Sequence, residues 1–205
     1  MGYRWGSRAR GWFLRLQGTV LAAIVRSYHN TDFLKEVLIS LKWVDKILVV
    51  NCLHEGYDPA PDDTEEIVSN LNQSNVHLMK LSPKKEHIVL NIAIAHLQEY
   101  DNILICDADE FIEEKEWKSI IKRFKTKMGL VRIVDYYPDG HTEERGHRPA
   151  MIVKPDTTFI FQRCSIDDYQ IFTDVCVKHY GYCVKDLEWK KNNYIKMGMD
   201  EPLAK

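Results

Sequence analysis

Along the first half of the chain, short apolar runs alternate with segments whose apolar residues recur at helical spacing. The run "VLAAIVRSY" is too short for a buried helix and ends in polar turn residues, which predicts a buried strand. In "TDFLKEVLISLKWV" the residues Phe33, Leu34, Val37, Leu38 and Leu41 fall on one helical face, and Asn30 or Thr31 is available as the cap. "KILVVNC" follows as a second strand. After the loop "LHEGYDPAP" comes "DDTEEIVSNLN", a short helix whose leading acids complement the positive end of its dipole. "VHLMKL" is a third strand. Ser82 and Pro83 then predict the cap and first position of a helix in which Ile88, Ile92 and Ala95 share a face, and "NILIC" is a fourth strand.

Strands alternating with helices of about ten to fifteen residues predict parallel βαβ units, hence an α/β fold with helices on both faces of the sheet. Beyond the helix "EEKEWKSIIKRF" and the strand "GLVRIVDYY" the pattern changes to short strands and turns in "PDG", "AMIVK", "TTFIF" and "DVCVKHYGY". The second half therefore reads as mixed and partly antiparallel, closed by an amphipathic helix near "VKDLEWKKNNYIKMG". There is no internal repeat and no low-complexity segment.

Length and composition favour one domain: 205 residues, 45% of them hydrophobic, suffice for a single sizeable core. The formal net charge is -2, yet Met1 to Thr19 holds Arg4, Arg8, Arg10 and Arg15 and no acid, so the remainder is more acidic than the whole. That balance argues against a nucleic-acid-binding body, whose footprint is a basic face. Residues 1–19 read as a flexible basic arm or appended residues, because Arg15 interrupts any signal-peptide core. No apolar run approaches the roughly 18 residues of a membrane span. The expectation is a soluble, cytoplasmic protein, with peripheral membrane contact open to the Trp-containing arm. The cysteines Cys52, Cys106, Cys164, Cys176 and Cys183 are odd in number and lack CxxC spacing, which indicates neither a zinc cluster nor a closed disulfide framework, though a Cys176–Cys183 bridge stays open.

The run "ILICDADEFI" changes the picture most. An apolar strand stops at Asp107, Asp109 and Glu110, acids that repel one another unless something positive lies between them. Ligand crevices in doubly wound sheets lie at the carboxyl ends of strands. Residues two apart on an extended segment point to one side, so Asp107 and Asp109 can converge on a hard divalent ion, Mg²⁺ or Mn²⁺. The plainer reading ends a strand at Asp107 and caps a helix with Asp109 or Glu110.

The order of "AAIVRSYHNTDFLKEVLISLKWVDKILVVN", Asp63-Thr64, "KKEHIVLNIAIAHLQEYDNILICDADEF" and "VKHYGY" resembles the GT-A fold glycosyltransferases, family-2-like members above all, over most of Val20 to Tyr182. The compact length suits a minimal, virus-encoded member. The resemblance implies a GT-A type nucleotide-binding half (20–112) and an acceptor-side half (113–205) within one domain (20–205). It implies a nucleotide diphosphate sugar donor, an acceptor hydroxyl on a glycan, lipid or protein, a Mn²⁺ or Mg²⁺ cofactor, and inversion at the anomeric carbon. By the same resemblance Asp107 meets the nucleotide or a metal-bound water, Asp109 ligates the metal, and His179 is its distant ligand. Val25, Arg26 and Tyr28 then hold the base, Asn51 stands where the family usually has an Asp, and Asn91 and Lys85 approach the nucleotide. The catalytic base falls among Asp167, Asp168 and Asp174, with Asp174 preferred and Asp168 next.

A metal-dependent nuclease could also use the clustered acids but would need further ligands and a basic groove, and two other function classes fit the same pattern. One is a catalytically silent nucleotide-sugar-binding or interaction protein. The other is a sugar-phosphate nucleotidyltransferase, for which the first-strand loop "RSYHNTD" lacks the Gly-rich phosphate loop expected.

Overall fold

Alternation along the first strand sorts its side chains between two apolar cores. In the computed structural model, which describes residues 18–196 except Asn30 and His147, Leu21, Ala23 and Val25 of β1 (Leu21–Ser27) face one core and Ala22 and Ile24 the other. The chain continues as α1 (Leu34–Ser40), β2 (Lys46–Asn51), α2 (Thr64–Leu71), β3 (Val76–Lys80), α3 (Glu86–Ala95) and β4 (Asn102–Asp107). It then forms β5 (Glu110–Phe111), α4 (Glu114–Arg123), β6 (Met128–Tyr136), β7 (Thr142–Glu144), β8 (Ala150–Val153), β9 (Tyr169–His179) and α5 (Leu187–Lys196). Helices α1, α2 and α4 pack on the first core and α3 on the second, so the α/β fold with helices on both faces is the fold observed.

The strand order is β3-β2-β1-β4-β8-β6-β9-β5, with β7 paired to β6 outside that path. Strands β1 to β4 are parallel, β8 runs antiparallel to both β4 and β6, and β9 lies parallel to β6. The chain reverses its direction of growth across the sheet between β1 and β4, and Arg26 of β1 is in register with Asp107 of β4 at that point. The short strand β5 pairs antiparallel with the end of β9, opposing Glu110 to His179.

Several local expectations are corrected. Helix α3 starts at Glu86 with Lys85 at its cap position, not at Ser82–Pro83. The reason is that the Lys84 N–H donates to Leu53 and its carbonyl accepts from Glu55, which holds the segment extended. Its buried face is Val89, Leu90, Ala93 and Ile94, while Ile88 is exposed. The segment is apolar nearly all round, so periodicity alone could not choose the face. Thr31 does not cap α1, since its hydroxyl bonds Asp63, and Asn30 lies outside the described residues, as does nearly all of the basic arm. "TTFIF" holds only an isolated bridge, Phe161 to Cys164. The Cys176–Cys183 bridge does not form: all five cysteines are free, and Cys183 Sγ donates to the Tyr136 carbonyl. Among the described residues no helix is long and apolar enough to cross a membrane.

Candidate functional site

The acidic turn opens into a cleft of about 500 Å³ at the carboxyl ends of β1 and β4, lined by residues from both halves of the chain. Its charge balance is the opposite of what "DADE" suggests. Among the described residues six cations line it, Arg26, Lys84, Arg145, Arg148, Arg163 and Lys190, against four carboxylates, Glu86, Asp107, Asp109 and Glu110.

Asp107 is gripped by two guanidiniums. Arg26 donates from Nε and Nη2 to its two oxygens, each at 2.7 Å, and Arg163 Nη2 lies 2.7 Å from Oδ2. Burial alone would raise the Asp107 carboxyl, but Arg163 and Arg26 outweigh it and hold it well below the usual carboxylate range. The same Arg163 Nη2 donates to Glu110 Oε2 at 3.0 Å, while Glu86 sits 2.9 Å from Arg26 and 3.5 Å from Arg163. Glu110 also accepts the Asp107 N–H. Its burial pushes its carboxyl above the ordinary range in spite of Arg163.

Asp109 meets a different pair. The β5–β9 ladder carries His179 beside the turn, and the Tyr180 N–H donates to the Asp109 carbonyl at 2.8 Å. Asp109 Oδ2 then lies 3.6 Å from His179 Nε2 and 3.4 Å from Lys190 Nζ. Burial would raise the Asp109 carboxyl, and His179 and Lys190 turn the shift downward. The other ring nitrogen of His179, Nδ1, donates to Asp135 at 2.6 Å. Arg145 Nη2 lies 2.9 Å from that nitrogen, and because Nδ1 is already a donor, the attractive contact of Arg145 is its 2.7 Å bond from Nε to Asp135. Gly181 makes this crowding feasible: a Cβ there would stand 2.5 Å from both His179 Nε2 and Lys190 Nζ.

Helix α5 forms the outer wall. It is held by polar contacts rather than by the apolar stripe its sequence suggested, and Asn193 is its one buried residue. Asn193 accepts the Asp58 N–H at 2.6 Å, and Trp189 donates to the Asp58 carbonyl at 3.1 Å. Trp189, with Tyr28 and Tyr57, makes an aromatic rim, the ring centroids lying 6.3 and 5.8 Å from that of the indole.

No protein-family model matches the chain, and no curated protein matches it. Solved structures do. The fold is similar to that of TarS. Residues 1–349 of S. aureus TarS align with a TM-score of 0.55 at 16% identity, covering 90% of this chain and 67% of that one. Against a longer TarS structure the chain spans 41% of that protein's length. HddC from Yersinia pseudotuberculosis, complexed with GMP-PN, gives a TM-score of 0.52 at 12% identity over 77% of this chain and 92% of that one. The 4-diphosphocytidyl-2C-methyl-D-erythritol synthase from Anaerococcus prevotii gives 0.51 at 11% identity over 76% and 87%. Identities this low establish a shared fold and nothing finer.

Of the residues singled out from the sequence, Arg26, Tyr28, Asp107, Asp109 and His179 come together in this cleft. The others do not line it. Val25 is buried in the core beneath, Asn51 donates to Asp62, and Asn91 holds the Phe159 backbone through two hydrogen bonds. Asp168 is exposed in a separate hollow with Lys127 and Lys154. Asp174 lies at the irregularity where β9 slips against β6, and it pairs on the surface with Arg123 of α4, whose hydrogen bond lowers its carboxyl. Because neither side chain reaches the cleft, Asp174→Asn and Asp168→Asn are each expected to leave turnover within about threefold of the parent. A loss of 10² or more, the usual effect of removing a general base, would place the reacting atoms elsewhere than in this cleft.

The metal set expected at the turn is not assembled. Both oxygens of Asp107 are committed to arginines and Asp109 faces an ammonium, and among the described residues no three His, Cys, Asp or Glu side chains group as a metal site. As arranged, these residues do not fit a divalent ion. The sequence reading missed Arg163 and Lys190. Their only signals were an arginine inside the apolar "FIFQRC" and a Trp-Lys pair on a helix soon after "VKHYGY".

Proposed function

We propose that the chain is a glycosyltransferase that moves a sugar from a nucleoside diphosphate sugar to an acceptor hydroxyl. The observation that carries this reading is the cationic excess of a cleft built at the β1/β4 switch point in a chain of net negative charge. Such a cleft suits a diphosphate, and fixed cations are most useful where charge develops on a leaving group in a water-poor site. In the transfer the bond from the anomeric carbon to the diphosphate oxygen breaks, a bond to the acceptor oxygen forms, and the acceptor proton passes to a base. Lys84 and Arg148, whose side chains have no partner among the described residues, face the incoming diphosphate beside Arg26, while Tyr28 and Trp189 offer aromatic surface to the base. The resemblance of "ILICDADEF" to the family-2-like pattern points the same way.

Release of UDP or GDP from a panel of nucleotide sugars, with and without simple sugar and lipid acceptors, tests this reading. Binding without release under all conditions would favour the silent nucleotide-sugar-binding protein. Nucleotidyl transfer is the second reading, supported by the likeness to HddC and to the synthase. Release of pyrophosphate from a nucleoside triphosphate and a sugar phosphate would establish it instead. Lys84→Ala and Arg148→Ala are each expected to weaken UDP or GDP binding about tenfold, the scale of one charge-assisted hydrogen bond. Calorimetry reads this directly, and parental affinity in both variants would move the diphosphate away from these two cations.

A further inference from the structure

We propose that Lys190 is the resident cation of this site: its ammonium holds the place at Asp109 that a divalent ion would need, so that a nucleoside diphosphate binds without metal. The inference rests on the reading of the cleft as a nucleoside diphosphate site, and it begins from the misfit between the acidic turn and a metal.

A divalent ion at a DxD pair needs free carboxylate oxygens. Asp107 has none, since Arg26 and Arg163 take both. Asp109 offers Oδ2 toward His179 Nε2, and Lys190 Nζ is already 3.4 Å from that oxygen. The ammonium also donates to the Gly181 carbonyl at 3.1 Å. A divalent ion bound to the same carboxylate would sit within a few ångströms of this charge, and the two cations would repel at close range.

The placement of Lys190 is built rather than incidental. Its side chain is mostly buried, and α5 is fixed on either side of it by Trp189 and Asn193, both bonded to Asp58. The chain bends round it at Gly181, where any side chain would collide with both Lys190 Nζ and His179. The neighbouring cations with no side-chain partner among the described residues, Lys84 and Arg148, line the same cleft. A diphosphate entering there meets a ready array of fixed positive charge, and the role of Lys190 is to keep Asp109 neutralised so that this array faces the anion without opposition.

The test has two arms on the full chain. In the first, free Mn²⁺ is measured by electron paramagnetic resonance as protein is added, with no nucleotide present. The parent is expected to bind Mn²⁺ weakly and Lys190→Met at least tenfold more tightly, through the freed Asp109 and His179. Equal Mn²⁺ affinity in the two proteins overturns the proposal. In the second, UDP and GDP are titrated into each protein in EDTA and in Mn²⁺. The parent is expected to bind equally within about threefold in both. Lys190→Met should lose at least tenfold in EDTA and recover in Mn²⁺, while Lys190→Arg, which keeps the charge, stays near the parent and controls for folding. A parent weakened tenfold or more by EDTA overturns the proposal. If neither nucleotide binds the parent under any condition, the nucleotide-site reading fails and this proposal of metal-free diphosphate binding fails with it, while the Mn²⁺ arm still reports whether Lys190 holds the cation position.

Discussion

Arg163→Met is expected to destabilise the protein by about 3–5 kcal/mol, the usual cost of removing one partner from a buried ion network. Arg163 is almost fully buried and stands among three carboxylates: Asp107 at 2.7 Å, Glu110 at 3.0 Å and Glu86 at 3.5 Å. Arg26 still serves Asp107 and Glu86 in the variant, but Glu110 loses the one cation paired with it within 4 Å among the described residues while remaining buried. Equilibrium unfolding in urea, with the slope unchanged, measures the loss. The loss should also depend on pH. The Glu110 carboxyl is already raised by burial, and without Arg163 it rises further. A folded-state pKa above the unfolded value, about 4.3 for Glu, gives stability that is present at low pH and lost as pH climbs through the folded value. The variant is therefore expected to be closest to the parent near pH 4 and furthest from it at neutral pH. Arg163→Lys should recover less than half, because a single ammonium cannot span three carboxylates as a guanidinium fork does. A loss under 1 kcal/mol at pH 7 would mean that the carboxylates, not the arginine, adapt to each other in this core.

In an assay of the proposed transfer, Gly181→Ala is expected to lower turnover about 10²-fold while costing only 1–3 kcal/mol of stability, the range for inserting a methyl into a packed site. The added Cβ would lie 2.3 Å from His179 Cε1 and 2.5 Å from Lys190 Nζ. Lys190 can move its flexible end. The imidazole has less freedom, because Asp135 holds Nδ1 and the strand ladder to β5 fixes its backbone. The pinned ring can clear the methyl only by straining its Asp135 bond and drawing away from Asp109, and a displacement near 1 Å among the groups lining a reaction cleft costs about two orders of magnitude. Turnover in the variant equal to that of the parent, with a folded protein by calorimetry, would show that the position of His179 is immaterial to the reaction.

Local patterns were legible because they answer to local physics. Strand period two placed Val175, Val177 and His179 on one side of β9, and all three are buried there. The same parity sends Asp174 outward, toward Arg123. That consequence was readable in "TDVCVKH", and ranking Asp174 by nearness along the chain hid it. The face of α3 was not readable, since an apolar residue at almost every position removes the contrast on which periodicity depends.

The sequence by itself determined that strands and helices alternate, that the first half is a parallel sheet, and that three acids stand at the end of β4. Those follow from hydrophobic period, run length and turn chemistry, which act over a few residues. Only the tertiary structure decided what neutralises the acids. Arg26, Arg163 and Lys190 lie far from the turn in sequence, and they reach it through strand register, through a loop beyond β8 and through a helix held by Asp58. Charges on a chain pair by distance in space, and in low dielectric a contact of 3 Å outweighs any separation along the backbone. The acidic turn read in isolation asks for a metal; the folded chain brings its own cations to it.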